Sequence, residues 1–397
     1  MINGDALKSR ISAIEEWMID IRRDFHRHPE LGFEEYRTQK KIIEYLKAMD
    51  IEYDIMATTG VIGTIRGKGD GRTVALRADM DALPMTDEKD VPYRSSVDGK
   101  MHSCGHDAHM AILLGTAKVL NDLKDEIDGN IRLIFQPAEE TLGGAQPMIE
   151  AGALDSPHVD GVFGLHMDNS LEKGRIGVRY GQMKAASDII DIIIRGRNSH
   201  GAYPQDGIDA IAIANQVIAA LQTIISRNVD PRTSAVLTIG TIRGGHARNV
   251  VSNRVKMEGI VRTLDSDTRE LVFSNIKSIV EELPQSMGGE GELIWMEGYP
   301  ALINHNGMVD IVKKNGLEVL GPKGIYEMPH PSFGVEDFSY FTEARPSAFF
   351  HLGSGNRDKG IVQGGHTPDF DIDEDALAIG VLLQVKNALE FLRGKIY

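Results

Sequence analysis

The sequence predicts an α/β fold: an open sheet flanked by helices, interrupted by an inserted ferredoxin-like (βαββαβ) unit. Three observations predict it. Short apolar runs at 73–78, 131–135 and 162–165 read as buried parallel strands. Each run delivers Asp, Glu or His at or just past its C-terminal end, where an open α/β sheet forms its ligand crevice. From about residue 187 the pattern becomes strand, helix, two strands, helix, strand, and elements of the first kind resume after Pro300. The expected division is 1–186, an insertion at 187–298, and 299–397.

Taken in order, Ile11, Ile14, Met18, Ile21 and Phe25 recur at helical spacing and give an amphipathic opening helix. Pro29 and Gly32 stop it. His26 and His28, at its end, read as capping or surface groups rather than ligands. Ile42, Ile43 and Leu46 mark a second helix, and 61–65 a strand. The run 73–78 leads into Asp79-Met-Asp81, then a polar loop with Pro84 and Pro92. Met101-His-Ser-Cys-Gly-His106-Asp-Ala-His109 opens a helix that continues through Leu113, Leu114 and Leu120. Gln136-Pro137 ends the run 131–135, because proline has no N–H for the ladder, and Glu139-Glu140 follows. The run 162–165 ends in His166. In the insertion, strands are expected at 188–195, 235–241, 255–264 and 293–296, with helices at 207–225 and 268–283. A strand at 349–353, a turn at Gly364-Gly-His366 and a closing helix at 376–392 complete the chain.

Composition narrows the function. The 397 residues are 25% charged and 42% hydrophobic, ordinary for a globular enzyme with two cores. A formal net charge of −15 argues against a nucleic-acid partner. The most apolar helical run, 208–225, is interrupted by Asp209, Asn215 and Gln222, so a buried helix is expected there and no membrane partner. The N-terminus lacks the apolar core of an export signal, and the single cysteine, Cys104, excludes an intramolecular disulfide. Both suit the cytoplasm.

Five residues then stand out as metal ligands: Cys104 and His106 before a helix, Glu140 and His166 after strands, and His366 in a turn. Thiolate, imidazole and carboxylate suit zinc, or manganese, cobalt or nickel. Five are too many for one tetrahedral zinc but fit two ions bridged by a shared ligand. Neighbouring residues point different ways, so one of Glu139 and Glu140 can hold a metal while the other faces a water.

Arg77-Ala-Asp-Met-Asp-Ala-Leu-Pro84, Met101-His-Ser-Cys-Gly-His-Asp107, Gln136-Pro-Ala-Glu-Glu140, Gly164-Leu-His166 and Gly334-Val-Glu-Asp-Phe338 resemble the dinuclear aminoacylase/carboxypeptidase amidohydrolase family. The nearest branch is that of hippurate hydrolases, N-acyl-amino-acid amidohydrolases and indoleacetyl-amino-acid hydrolases. The resemblance implies a zinc-peptidase-like catalytic domain whose inserted ferredoxin-like domain serves as lid and dimerisation surface. It implies two divalent metal ions per subunit, with Cys104 bridging them, Glu140 and His366 completing one site, and His106 and His166 the other. Glu139 would be the general base and Asp81 would orient the metal-bound side chains. From the insertion, His200 would stabilise the oxyanion, and Asn249 and Arg262 would grip the substrate carboxylate. The expected substrate is an N-acyl (N-acetyl, N-benzoyl or similar) L-amino acid. Short peptides, cut by the same centre acting as a carboxypeptidase or dipeptidase, are the alternative. Cys104 as a nucleophile and a non-catalytic binding module are further readings, although a merely structural site has no use for Glu139. One stretch departs from the branch: Ile361-Val-Gln-Gly-Gly365 stands where a Tyr-Pro-type approach to His366 is expected.

Overall fold

The apolar run around Leu133 becomes the strand Asp128–Gln136 in an eight-stranded sheet. The sheet order is Glu52–Met56, Gly60–Arg66, Asp128–Gln136, Lys68–Asp79, Gly161–Glu172, Ser347–Gly355, Ile176–Val178, Ile325–Glu327. The inner strand Lys68–Asp79 runs parallel to both neighbours, and Gly161–Glu172 runs parallel to Ser347–Gly355. This computed structural model describes residues 4–141 and 143–394. By compactness the chain divides into two units: Met1–Gly181 with Ile303–Pro329 and Tyr340–Tyr397, and Gln182–Leu302 with His330–Ser339. The segment His330–Ser339 joins the second unit through backbone pairing, Ser332 N–H to Met183 O (2.9 Å) and Ala185 N–H to Gly334 O (3.2 Å).

In the first unit, Glu15–Arg27, His106–Asn121 and Ala376–Arg393 pack together beside the sheet. Every side chain of His106–Asn121 except Lys118 and Asn121 is buried, as a helix apolar on all sides requires. Gly115 permits the close approach: a Cβ there would sit 2.5 Å from Met18 Sδ and 2.9 Å from Val381 Cγ2. One strand differs from expectation. Gly161–Glu172 extends well past 165, so His166 lies inside a strand rather than after it. Its pairing with Lys68–Asp79 stops at Arg77↔Gly164, whereas Ser347–Gly355 pairs on to Glu172. His166 therefore sits where the sheet edge steps back.

The second unit has the order Ala235–Gly244, Arg254–Thr263, Ala186–Arg195, Glu290–Glu297, all antiparallel. With helices Ala210–Thr223 and Ser266–Ser286 on one face, this is the ferredoxin-like arrangement. Ile190, Ile192 and Ile194 alternate into its core, and Asp209 and Asp265 cap the two helices with their carboxylates. One stretch, Ala210–Asn228, is long and apolar enough to cross a membrane by length and composition. Here its Ile213, Ala214, Val217 and Leu221 cover the sheet, as in the core helix of a globular domain.

Glu35 links the N-terminal helices to the loop carrying Glu139. It immediately precedes helix Tyr36–Ala48, and its buried carboxylate accepts hydrogen bonds from the Thr59 hydroxyl (2.6 Å) and the Ala138 N–H (2.9 Å). Burial outweighs both bonds and raises its pKa from 4.5 to about 7. Because the folded-state value is the higher one, the stability that neutral Glu35 contributes is full below 4.5. It is lost as the pH rises through about 7. Between pH 5 and pH 8 the metal-free wild type should lose melting temperature relative to Glu35→Gln. A gap that stays constant across that range refutes the assignment.

Candidate metal centre

Cys104 and His106 stand at the start of the buried helix. Gly105 between them adopts φ 90°, and a Cβ there would lie 3.0 Å from the Met167 side chain. His106 Nδ1 is 2.9 Å from the Asp81 carbonyl oxygen, which fixes the proton on Nδ1 and leaves the Nε2 lone pair facing the cluster. His166 is set the same way: Nδ1 lies 2.7 Å from Met167 O, and Nε2 lies 3.3 Å from Cys104 Sγ. The Glu140 N–H donates to Asp81 Oδ2 at 2.9 Å, so one residue at a strand end positions both His106 and Glu140. Glu140 Oε1 lies 3.1 Å from His366 Nε2 and 3.9 Å from His106 Nε2.

Three overlapping groups result: Cys104 with His106 and His166, Cys104 with Glu140 and His366, and His106 with Glu139 and Glu140. Within each, the ligand atoms lie within 4.8 Å of one another. The five expected ligands and Glu139 are thus brought together. Cys104 is common to the first two groups. Ala138 and His366 hold left-handed φ values of 55° and 63°, rarely adopted by non-glycine residues and often found at functional sites.

The donor set fits divalent cations. Among the described residues, His106 Nε2 is buried without a hydrogen-bond partner, and Glu140 Oε1 faces it at 3.9 Å and His366 Nε2 at 3.1 Å. Buried ligand atoms converging in this way are what a cation satisfies. The surroundings favour positive charge: burial lowers the His106 pKa, but the Asp79 charge and the Asp81 hydrogen bond overcome this and raise it, so in the metal-free protein a proton competes for Nε2. Burial and then the Glu140 charge push the Cys104 thiol up, so without added positive charge a thiolate nucleophile is disfavoured.

Two supporting residues escaped the sequence reading, Asp79 and His109. His109 Nδ1 lies 2.6 Å from Asp79 Oδ1, and its Nε2 accepts the Met167 N–H at 2.8 Å. Both ring nitrogens are occupied, so His109 buttresses the strand carrying His166 instead of binding an ion, although it falls in a group with Asp79 and His106. The signal was present: His106 and His109 are three residues apart on one helix and share a face. His26 is fully buried between Asp107 (2.8 Å) and Asp87 (3.2 Å), a structural role rather than the capping or surface one expected.

In the second unit, His200 and Asn249 are brought together. Ser199–His200 pairs with Val250–Val251, and the Gly201 N–H donates to Asn249 O at 2.7 Å. His200 is exposed, its Nδ1 accepting the Ala202 N–H at 3.0 Å. Arg262 lies apart, opposite Ser187 and Val236, and burial lowers its pKa.

Residues 75–389 match the model of peptidase family M20/M25/M40. Thermostable carboxypeptidase 2 of Saccharolobus solfataricus is 40% identical over 392 residues, covering 98% of each chain. N-acetyl-L-cysteine deacetylase of Bacillus subtilis is 40% identical over 373 residues, 92% of this chain and 86% of that one. The crystal structure of the Bacillus subtilis YXEP protein, described as a dinuclear metal binding peptidase from the M20 family, superimposes with a TM-score of 0.85 at 34% identity. It covers 97% of this chain and 99% of that one. With this likeness running along nearly its whole length and the ligand cluster in place, the chain belongs to peptidase family M20/M25/M40 and is a metal-dependent hydrolase of amide bonds.

Proposed function

We propose that the bond cleaved is the amide of an N-acyl L-amino acid, giving a carboxylate and a free amino acid. The observation that carries this reading is Glu139, only 8% exposed, grouped with His106 and Glu140 beside the two Cys104-centred groups. In this reading Cys104 would serve both of two divalent ions, zinc or manganese, or else cobalt or nickel. Glu140 and His366 would hold one, His106 and His166 the other, and Asp81 would orient His106 and Glu140. Such ions, when bound, polarise the scissile carbonyl and lower the pKa of a water. Glu139 takes the proton of the attacking water and returns it to the leaving amine. His200 stabilises the developing oxyanion. Arg262 presents a planar fork to the substrate carboxylate, assisted by Asn249.

The enzyme works as a homodimer or dimer-based assembly in the cytoplasm, and His200 serves the partner's site. Arg262 is near one end of the strand Arg254–Thr263, while the His200–Asn249 ladder leaves from the other. From Arg254 to Arg262 an extended chain covers roughly 26 Å at ~3.3 Å per residue, more than an N-acyl amino acid spans. Simultaneous contact of all three with one substrate is therefore most simply met from two copies. The open edge strands Ala235–Gly244 and Glu290–Glu297 offer surfaces that pairing would cover.

A carboxypeptidase reading uses the same centre, and the 40% identity to a carboxypeptidase favours keeping it in view. Turnover by the metal-loaded protein on N-acetyl, N-benzoyl and indoleacetyl amino acids against dipeptides separates the two. Dipeptides cleaved fastest would overturn the deacylase assignment.

Glu139→Gln should retain both ions and the fold yet lose roughly two to four orders of magnitude in turnover, the usual worth of a general base. Near-normal turnover at full metal content would sink that role. Cys104→Ala should weaken both ions together, and Cys104→Asp less so, since a carboxylate also bridges cations. Two tightly held ions in Cys104→Ala would put the bridge elsewhere.

Mixing Glu139→Gln protein with His200→Ala protein under subunit exchange tests the shared site. If His200 acts across the dimer, roughly half the dimers are mixed at equal amounts, and each has one intact site. Roughly a quarter of wild-type activity should return. Background activity despite demonstrated exchange would place His200 in its own subunit's site.

A further inference from the structure

We propose that Asn169 is a positioning residue for the metal centre, acting through the segment that carries His366. The inference rests on the metal-centre reading above. Of the five ligand candidates, His366 is the most exposed; it lies outside any helix or strand and holds a φ of 63°. Its position against Glu140 therefore depends on how the chain on either side of it is held.

The Asn169 side-chain amide is placed to do so. Its Nδ2 donates to Gln363 O and to Asp371 O, both at 2.7 Å, so one amide group ties down the chain on either side of His366. Its Oδ1 accepts from the Ser354 hydroxyl at 2.7 Å. The opposite rotamer would set Oδ1 against two carbonyl oxygens, so Ser354 and the carbonyls fix the amide in one orientation. Asn169 stands on the strand Gly161–Glu172 that bears His166. Its amide therefore spans between the strand that places one ligand and the loop that places another.

Three further hydrogen bonds complete the clamp. The His366 N–H donates to Ser103 O at 2.8 Å, beside Cys104. Asp371 is gripped at its carboxylate by Arg22 Nη2 (2.5 Å) and the Tyr93 hydroxyl (2.6 Å). Two donors and one acceptor at this reach are what an asparagine supplies. Aspartate has the shape without the donors and sets a charge against two carbonyl oxygens.

The test is uptake of Zn2+ by metal-free protein, read by competition with a chromophoric chelator. Wild type should take up two ions. Asn169→Asp should hold one ion as wild type does, and the second, at the Glu140–His366 site, about 10- to 100-fold more weakly, the usual effect of losing a residue that orients a ligand. Ser354→Ala, which removes only the bond orienting the amide, should shift the same ion by a smaller factor. If Asn169→Asp fails to fold, Ser354→Ala decides by the same criterion. A general loss of structure would weaken both ions alike and depress the melting temperature of the metal-free protein, and that pattern overturns the proposal. So does unchanged affinity for both ions in a wild type that binds two. Failure of the wild type itself to bind two ions would instead overturn the metal-centre reading and the clamp with it.

Discussion

Most of the structure around the centre answers one constraint: several anionic groups and a thiol are buried together. Asp79, Asp81 and Glu139 are all buried, with Glu140 and Cys104 nearly so. Isolated carboxylates at that depth are costly, so each needs a partner. Asp79 has Arg77 and His109, and Asp81 accepts the Glu140 N–H. Beside them Cys104, His106, His166, Glu140 and His366 gather ligand atoms that divalent cations match in charge and in donor type.

The scaffold sets these side chains in place by itself. Asp81, just past the end of one strand, bonds both His106 and the Glu140 backbone, and His109 braces the next strand from the buried helix. The backbone is bent into left-handed conformations at Ala138 and His366, and each is tied down by neighbours: the Glu35 carboxylate for Ala138, and the Ser103 carbonyl for His366. Such preorganisation means that binding need not first order the site, which favours tight retention of metal.

Much of this was legible in the sequence where apolar runs meet polar punctuation. The strands ending near Asp79 and Gln136, and the helix beginning at His106, follow from local pattern. The length of Gly161–Glu172 was not legible, because it depends on a partner strand reached only at residue 347. Asn169 carries no local signal either, since its bonds reach Gln363, Asp371 and Ser354. His200 is an exposed residue beside a turn and Arg262 a charge on a strand, so family resemblance alone drew attention to them. The raised pKa of Glu35 belongs to the same class, arising from burial that only the tertiary fold creates.

The pairing of Gly161–Glu172 with Ser347–Gly355 also bears on how the chain comes off the ribosome. The two strands are neighbours in one sheet, yet the whole insertion is synthesised between them. During that interval the nascent first unit lacks the strand Ser347–Gly355, which lies inside its sheet, together with helix Ala376–Arg393 and His366. An apolar strand edge stands open for as long as translation of the insertion takes, the circumstance in which unfinished sheets capture other chains. The insertion's four-stranded sheet and the helices Ala210–Thr223 and Ser266–Ser286 all lie within Gln182–Leu302 and share a core of their own. The Cys104–Glu140–His366 group is then assembled late, since His366 is synthesised after the whole insertion.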